Sequence, residues 1–400
     1  MRIGWMTTIV FAALIALSGC GEPDDNGDPP AESMEVTEHI DSDTTWEADY
    51  RYIVTGEFDV DARLTIEPGT YIEFEEGAGL EMQSGGILVA DGTEDEPITF
   101  TGTEESPGWW NGLFFAGSDR ADNILNHVVV EYAGADSLGG DTEDSAVIVG
   151  NPLGGSGAVA ITNSTIRHSG GYGIVLPLGA DLHDFESNTI TDNADAPIRG
   201  GGIHLHHFDA DSSYSGNGED AVVVGLSGPS VNDHAVENED GEWANLDVPY
   251  RIGVYTQLNN SVLTIEEGAK LRFDTDTGLS FDDGGGLDAV GSDDEPIVFT
   301  ATEESPGWWE GLEFRESPRD NVVEHAVVEY AGADASGLAD PANIMVGAGT
   351  GDANITVVDS TLRNSSEYGI WVGEDSSVND DVCDVNDFSD NTAGDCSGSI

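Results

Sequence analysis

Between Leu64 and Phe100 apolar residues recur at alternate positions in short runs: Leu64-x-Ile66, Tyr71-Ile72-x-Phe74, Leu80-x-Met82, Ile87-x-Val89 and Ile98-x-Phe100. A period of two places successive side chains on opposite faces of a strand, so each run predicts a short strand with one buried face. Pro-Gly, Glu-Gly, Ser-Gly-Gly and Asp-Gly turns separate the runs. Beyond the N-terminal leader no stretch sustains a helical period. Strands this short cannot persist as lone hairpins and must stack on like neighbours.

The pattern is written twice. Leu64–Phe74 (LTIEPGTYIEF) returns as Leu263–Phe273 (LTIEEGAKLRF), and Asp95–Trp110 (DEPITFTGTEESPGWW) as Asp294–Trp309 (DEPIVFTATEESPGWW). Asn126–Asp136 returns as Glu324–Asp334, and Ser164–Ile174 as Ser360–Ile370; the offset drifts from 199 to 196, as loop deletions would cause. The expected organisation is therefore two homologous segments, 35–230 and 231–400, with Ser215–Gly218 (SGNG) as the one candidate break.

LTIEPGT at 64–70, GGILVADGT at 85–93, PITFTG at 97–102 and GWWNGLFF at 108–115 resemble the right-handed parallel β-helix repeat proteins of the pectate-lyase-like superfamily. More specifically, they resemble bacterial surface lipoproteins built from such segments. The resemblance implies an all-β solenoid and is silent on chemistry, because this fold carries lyases, hydrolases, adhesins and inert spacers. At ~22 residues per rung and ~4.8 Å per strand spacing, about 16 rungs and a rod of roughly 70 Å are expected.

The first residues give an address. Met1–Arg2 and the apolar run Thr8–Leu17 have the form of a secretory leader, too short for a comfortable membrane span. Leu17-Ser18-Gly19-Cys20 resembles a lipobox, which implies removal of residues 1–19 and lipidation of Cys20. Residues 20–34, acidic and proline-rich, read as a disordered tether. The expected location is a lipid anchor in the membrane, the outer membrane by the Gly21 that follows the Cys, on the periplasmic or cell-surface side. Cys383 and Cys396 then remain as an even pair, which in an oxidising compartment predicts a disulfide.

Charge narrows the partners. The chain has 78 acidic and 12 basic residues, a net charge of −66, and one lysine, Lys270. Nucleic acid is excluded as a partner of such a surface, because phosphate neutralisation needs clustered Lys and Arg. The acids are scattered over both copies rather than gathered in a tail, as in a salt-adapted exported protein. For that reading the melting temperature should rise between low and molar salt.

Four sets of residues are candidates for chemistry. Trp109-Trp110 and Trp308-Trp309 should each place one indole inward and one outward, and outward tryptophans in a row would suit the stacking of sugar rings. His204 and His206, two apart on one strand face, could with Asp209 hold a divalent transition metal. Asp274-x-Asp276-x-Gly278 and Asp384-x-Asn386-Asp387 supply oxygen at spacings that calcium accepts, although neither completes an EF-hand loop. A polysaccharide lyase or glycoside hydrolase is the alternative to a binding rod, and a plain structural spacer is a third. No enzyme motif supports catalysis: Asp282-Asp283 lacks the Gly-His-Gly and Arg-x-Lys that accompany such a pair in polygalacturonases. Arg51/Arg251 and Arg167/Arg363 fall at equivalent positions, which suggests structural pairing with acids. The sequence thus reads as a lipid-anchored β-helical rod for binding or adhesion, with polysaccharide or a surface matrix as partner.

Overall fold

The computed structural model describes residues 30–400 apart from 136–143, 152–155, 178, 202–206, 226–233, 238–239, 334–339, 348 and 350. The leader, Cys20, His204 and His206 lie outside the described residues. Within them the regular secondary structure is strand apart from one four-residue helix at Val382–Val385. Successive turns of the chain lay parallel strands on three faces, and the protein is a right-handed parallel β-helix. One sheet of 13 strands, the spine, runs from Glu57–Val60 to Asp387–Ser389 and contains strands of both copies. Each copy adds two flanking sheets of its own, one of seven strands and one of six. Thirteen rungs along the spine at ~4.8 Å give roughly 58 Å. The rod is shorter than the repeat count alone implied, because corner loops lengthen several turns.

The copies are joined through the spine. Val222–Val224 pairs with Ile198–Gly200 on one side and with Tyr250–Ile252 on the other. The proposed break at Ser215–Gly218 is a tied corner: Asn217 Nδ2 donates to the carbonyls of Ile190 (2.8 Å) and Tyr214 (2.7 Å). The second copy is, however, turned by one face. Tyr71–Phe74 lies in the first copy's seven-stranded flank, whereas its counterpart Lys270–Phe273 lies in the spine. Gly79–Met82 is a spine strand, whereas its counterpart Gly278–Asp282 lies in the second copy's seven-stranded flank. Equivalent residues therefore point in directions about a third of a turn apart.

One continuous hydrophobic core fills the rod, formed by the inward positions of the alternating runs. The duplicated aromatics occupy it identically. Trp110 stacks on Phe74 with ring centroids 3.9 Å apart, and Trp309 on Phe273 at 4.0 Å. Each buried indole N–H is satisfied, Trp110 Nε1 donating to the Glu131 carbonyl (2.8 Å) and Trp309 Nε1 to that of Glu329 (2.9 Å). Corners are closed by buried amides. Asn123 Oδ1 accepts from Leu88 N, and Asn321 Oδ1 from Leu287 N, both at 2.8 Å. These bonds meet the backbone groups that a bend would otherwise strand.

Two end segments complete the rod. The first described strand, Ser33–Val36, pairs with Arg51–Val54, so the last two residues of the segment expected to be tether belong to a paired strand. At the other end Cys383 in the short helix and Cys396 in the last strand form a disulfide 13 residues apart in sequence. Closing a loop of that size contributes about 3 kcal/mol by the chain-entropy model.

Candidate functional site

The residues singled out from sequence fare differently. Trp110 and Trp309 are fully buried core residues and cannot be ligand platforms. Trp109 and Trp308 are half-buried, with Nε1 donating to Thr103 Oγ1 (2.9 Å) and Thr302 Oγ1 (3.0 Å). They do not form one row. Trp109 sits between a flank strand, Ile98–Gly102, and a spine strand, Gly112–Phe115, whereas Trp308 sits between spine strand Ile297–Ala301 and flank strand Gly311–Phe314. The one-face turn between copies separates them. Asp209 spends its carboxylate on a turn, accepting from the amides of Asp211 (2.9 Å) and Ser212 (2.8 Å) and from Ser212 Oγ (2.7 Å).

The oxygen-rich runs are also engaged. Asp274 pairs with Arg251 at 3.0 Å, and Asn386 is a corner amide that accepts from Ser360 N (2.9 Å). The equivalent arginines pair with acids: Arg51 with Glu73 (3.4 Å), Arg251 with Glu219 (3.0 Å), Arg167 with Glu131 (2.7 Å) and Arg363 with Glu329 (2.7 Å). Thr101 and Thr300 add hydroxyl bonds to the same Glu131 and Glu329 carboxylates (3.0 and 2.8 Å). This ladder is structural.

The unusual chemistry lies elsewhere, on the outer face of the second copy's seven-stranded flank. Parallel register aligns Gln257, Ser280, Glu313, Met345, Trp371 and Ser397 in one row along the rod. Their neighbours Leu279, Phe281, Leu312, Phe314, Ile344 and Ile370 point into the core. At the centre Glu313, 1% exposed, accepts on Oε2 from Arg315 Nη2 (2.5 Å), Arg315 Nε (2.9 Å) and Tyr255 Oη (3.2 Å). Arg315 Nη2 also reaches Tyr255 Oη at 3.3 Å. Ser280 is fully enclosed in the same row. Gly278 and Gly311 stand opposite each other in register; a Cβ on Gly278 would lie 3.2 Å from Glu310 Cβ and 3.5 Å from the Tyr255 ring. The missing side chains leave room for both groups to lean over the strand.

Among the described residues Glu310 has no ionic partner of its own in this cluster. Burial and the neighbouring Glu313 charge push its carboxyl from 4.5 up to about 8, against the opposing pull of Arg315. It is therefore largely protonated at neutral pH, beside a carboxylate held by arginine. Burial also raises the Tyr255 phenol, and Glu313 adds to that rise, so the phenol remains a donor. Two rungs along, Trp371 and Tyr368 are half-exposed and pack on buried Met345 and Ala342. The row thus joins an aromatic surface to a polar cluster that couples acid and base. Strongly shifted carboxyls in such settings mark functional sites.

Sequence reasoning passed over this group. Its members are spread from Tyr255 to Trp371 over five strands, and only Trp371, at an outward position of an alternating run, carried any signal. Among the described residues a further ligand-like group, Glu324, His325 and Asp359, stands at a corner of the second copy with its ligand atoms all within 4.8 Å of one another.

Comparison with known proteins agrees on the architecture. The model of the pectate-lyase like beta helix domain matches residues 38–149, within the first copy. No curated protein and no solved structure matches the chain. The parallel register of every sheet extends the same architecture through the second copy. The chain is a parallel β-helix repeat protein, and its residues 38–149 match the model of the pectate-lyase like beta helix domain.

Proposed function

We propose that the protein is an exported, lipid-anchored rod that binds a polysaccharide along the outer face of the second copy's seven-stranded flank. The observation that carries this reading is the shared row of Trp371 and Glu313, with half-exposed Tyr368 beside it and the Tyr255–Arg315–Glu310 cluster beyond. Aromatic faces stack on the apolar faces of sugar rings while convergent donors and acceptors take hydroxyl groups. A pectate-lyase-like domain in the first copy fits a carbohydrate-related role. Cys20 would fix the rod to the membrane and leave half-exposed Trp371 and Tyr368 free to meet a polymer. A glycan array or polysaccharide pull-down with the purified protein tests the reading. Trp371→Ala should abolish most of the binding and Trp109→Ala should leave it unchanged; equal binding by wild type and Trp371→Ala overturns it.

A second reading, a glycoside hydrolase, is favoured by one observation, the protonated Glu310 beside the arginine-held Glu313. Cleavage of a glycosidic bond uses a carboxylic acid to protonate the leaving oxygen and a carboxylate to assist at the sugar. Release of reducing ends from a bound polysaccharide, lost in Glu310→Gln with binding retained, would favour this reading over binding alone.

A further inference from the structure

The corner that follows Asn321–Glu324 in the second copy has a counterpart after Ile124–Asn126 in the first, and the two are chemical opposites. Both bend through a histidine in the left-handed region, His127 and His325 with φ of 47° each. Both lie on a left-handed residue of the next rung, Asn163 (φ 50°) and Asp359 (φ 48°). The backbone contact is shared: His127 N donates to Thr162 O (3.2 Å), and His325 N to Val358 O (3.3 Å).

In the first copy the side chains satisfy one another. Asn126 Nδ2 donates to Asp91 Oδ1 (2.8 Å), while Asn126 Oδ1 accepts from Thr162 Oγ1 (2.9 Å) and Asn163 Nδ2 (3.0 Å). In the second copy every one of those donors is gone. Glu324 replaces Asn126, Val358 replaces Thr162, Asp359 replaces Asn163, and Val290 replaces Asp91. What remains is an imidazole between two carboxylates, with one ligand atom from each within 4.8 Å of the others. The ring is also oriented. His325 Nδ1 lies 3.3 Å from Asp293 Oδ1, and Nε2 faces Glu324 Oε1 at 3.9 Å. A histidine whose outer nitrogen is held by a carboxylate presents the other nitrogen as a ligand, which is the usual support of a metal-bound imidazole.

We propose that His325 Nε2, Glu324 and Asp359 bind a divalent transition metal of the zinc type, with Asp293 orienting the imidazole. One nitrogen and two carboxylates, with solvent completing the shell, suit zinc better than calcium or magnesium, which take oxygen ligands. The ion would bridge two consecutive rungs, Glu324 and His325 on one and Asp359 on the next, and pin the corner that the first copy closes with amides. The two corners share a backbone, so the first is an internal control for the second.

Zinc competition against a chromophoric chelator, with the full chain, tests the site. A cobalt(II) visible spectrum reports whether an imidazole and carboxylates hold the metal. The wild-type chain should bind one equivalent of zinc at this corner and melt at a higher temperature with zinc than without it. His325→Asn, which keeps a residue tolerant of the left-handed bend, should weaken binding at least about tenfold and change the cobalt spectrum. Glu324→Asn with Asp359→Asn restores the first copy's amides and should remove the zinc-dependent rise in melting temperature while the chain stays folded. His127→Asn should change nothing. Unaltered zinc affinity in His325→Asn overturns the proposal. So does loss of the bound equivalent in His204→Ala/His206→Ala with His325 intact, or calcium matching zinc in affinity, which would mark diffuse cation binding to an acidic surface.

Discussion

The outer row Glu81–Phe114–Ile148–Val175 in the first copy and the row Ser280–Glu313–Met345–Trp371 in the second occupy the same positions of the same repeat. In the first, Phe114, Ile148 and Val175 form a small buried apolar cluster with Tyr172 against it. In the second, the Phe114 position is the buried Glu313, tied to Arg315 and Tyr255. Asn111, whose amide donates to Glu57 at 2.9 Å, corresponds to the protonated Glu310. The inward rows beneath hardly differ. A β-helix thus separates two demands: stacked inward residues must fit neighbours on both adjacent rungs, whereas an outward row can exchange an apolar cluster for an ionised one without disturbing them.

Three experiments test how far the two copies are equivalent. The largest effect is expected in the shared core. Trp110→Ala and Trp309→Ala should each cost about 3–5 kcal/mol in chemical denaturation, because each removes a stacked indole and leaves a cavity. Very unequal losses would mean that the two cores are not equivalent. Next is the ion pair. Arg315→Ala leaves Glu313 buried without its partner and should cost about 3 kcal/mol. Grafting the first copy's residues, Glu313→Phe with Arg315→Ala, should recover most of that loss. If the double variant is no more stable than Arg315→Ala, the faces are not interchangeable.

The third experiment follows the titration of Glu310. Folding raises this carboxyl from 4.5 to about 8, so between those values the folded chain keeps a proton that the unfolded chain has released. Stability contributed by that proton is full below about 4.5, falls as pH rises through the window, and is gone above about 8. Glu310→Gln should flatten this part of the urea-midpoint profile. An unchanged slope would remove Glu310 from the account of the site. The amide Asn111 has nothing to titrate, so Asn111→Ala should leave the slope as it is.

Much of this architecture was legible in the residues themselves. Alternation in Tyr71–Phe74 and Ile98–Gly102, glycine turns between them and the doubled LTIE and ESPGWW stretches lead to stacked parallel strands. One tryptophan of each pair is buried, although both pairs lie on corners outside the strands that the period of two describes. The tryptophan row did not survive, because the first copy's Trp109 and the second's Trp308 stand on different corners. No local signal records the one-face turn between the copies. The site was illegible for a related reason. Tyr255 and Glu313 touch across 58 residues, and their meeting depends on the length of every intervening loop.

What the sequence determined by itself was local and periodic: strand faces, turns, the duplication, the Cys383–Cys396 pairing and a surface dominated by acid. Those follow from backbone geometry and from which side chains water accepts. The tertiary structure alone decided which residues of separate rungs become neighbours. Register across strands brought Tyr255 to Glu313 and set Asp359 beside His325. In a solenoid every contact along the rod joins positions a full turn apart. The chemistry of its surface is therefore set by how many residues each turn contains, and only the wound chain fixes that number.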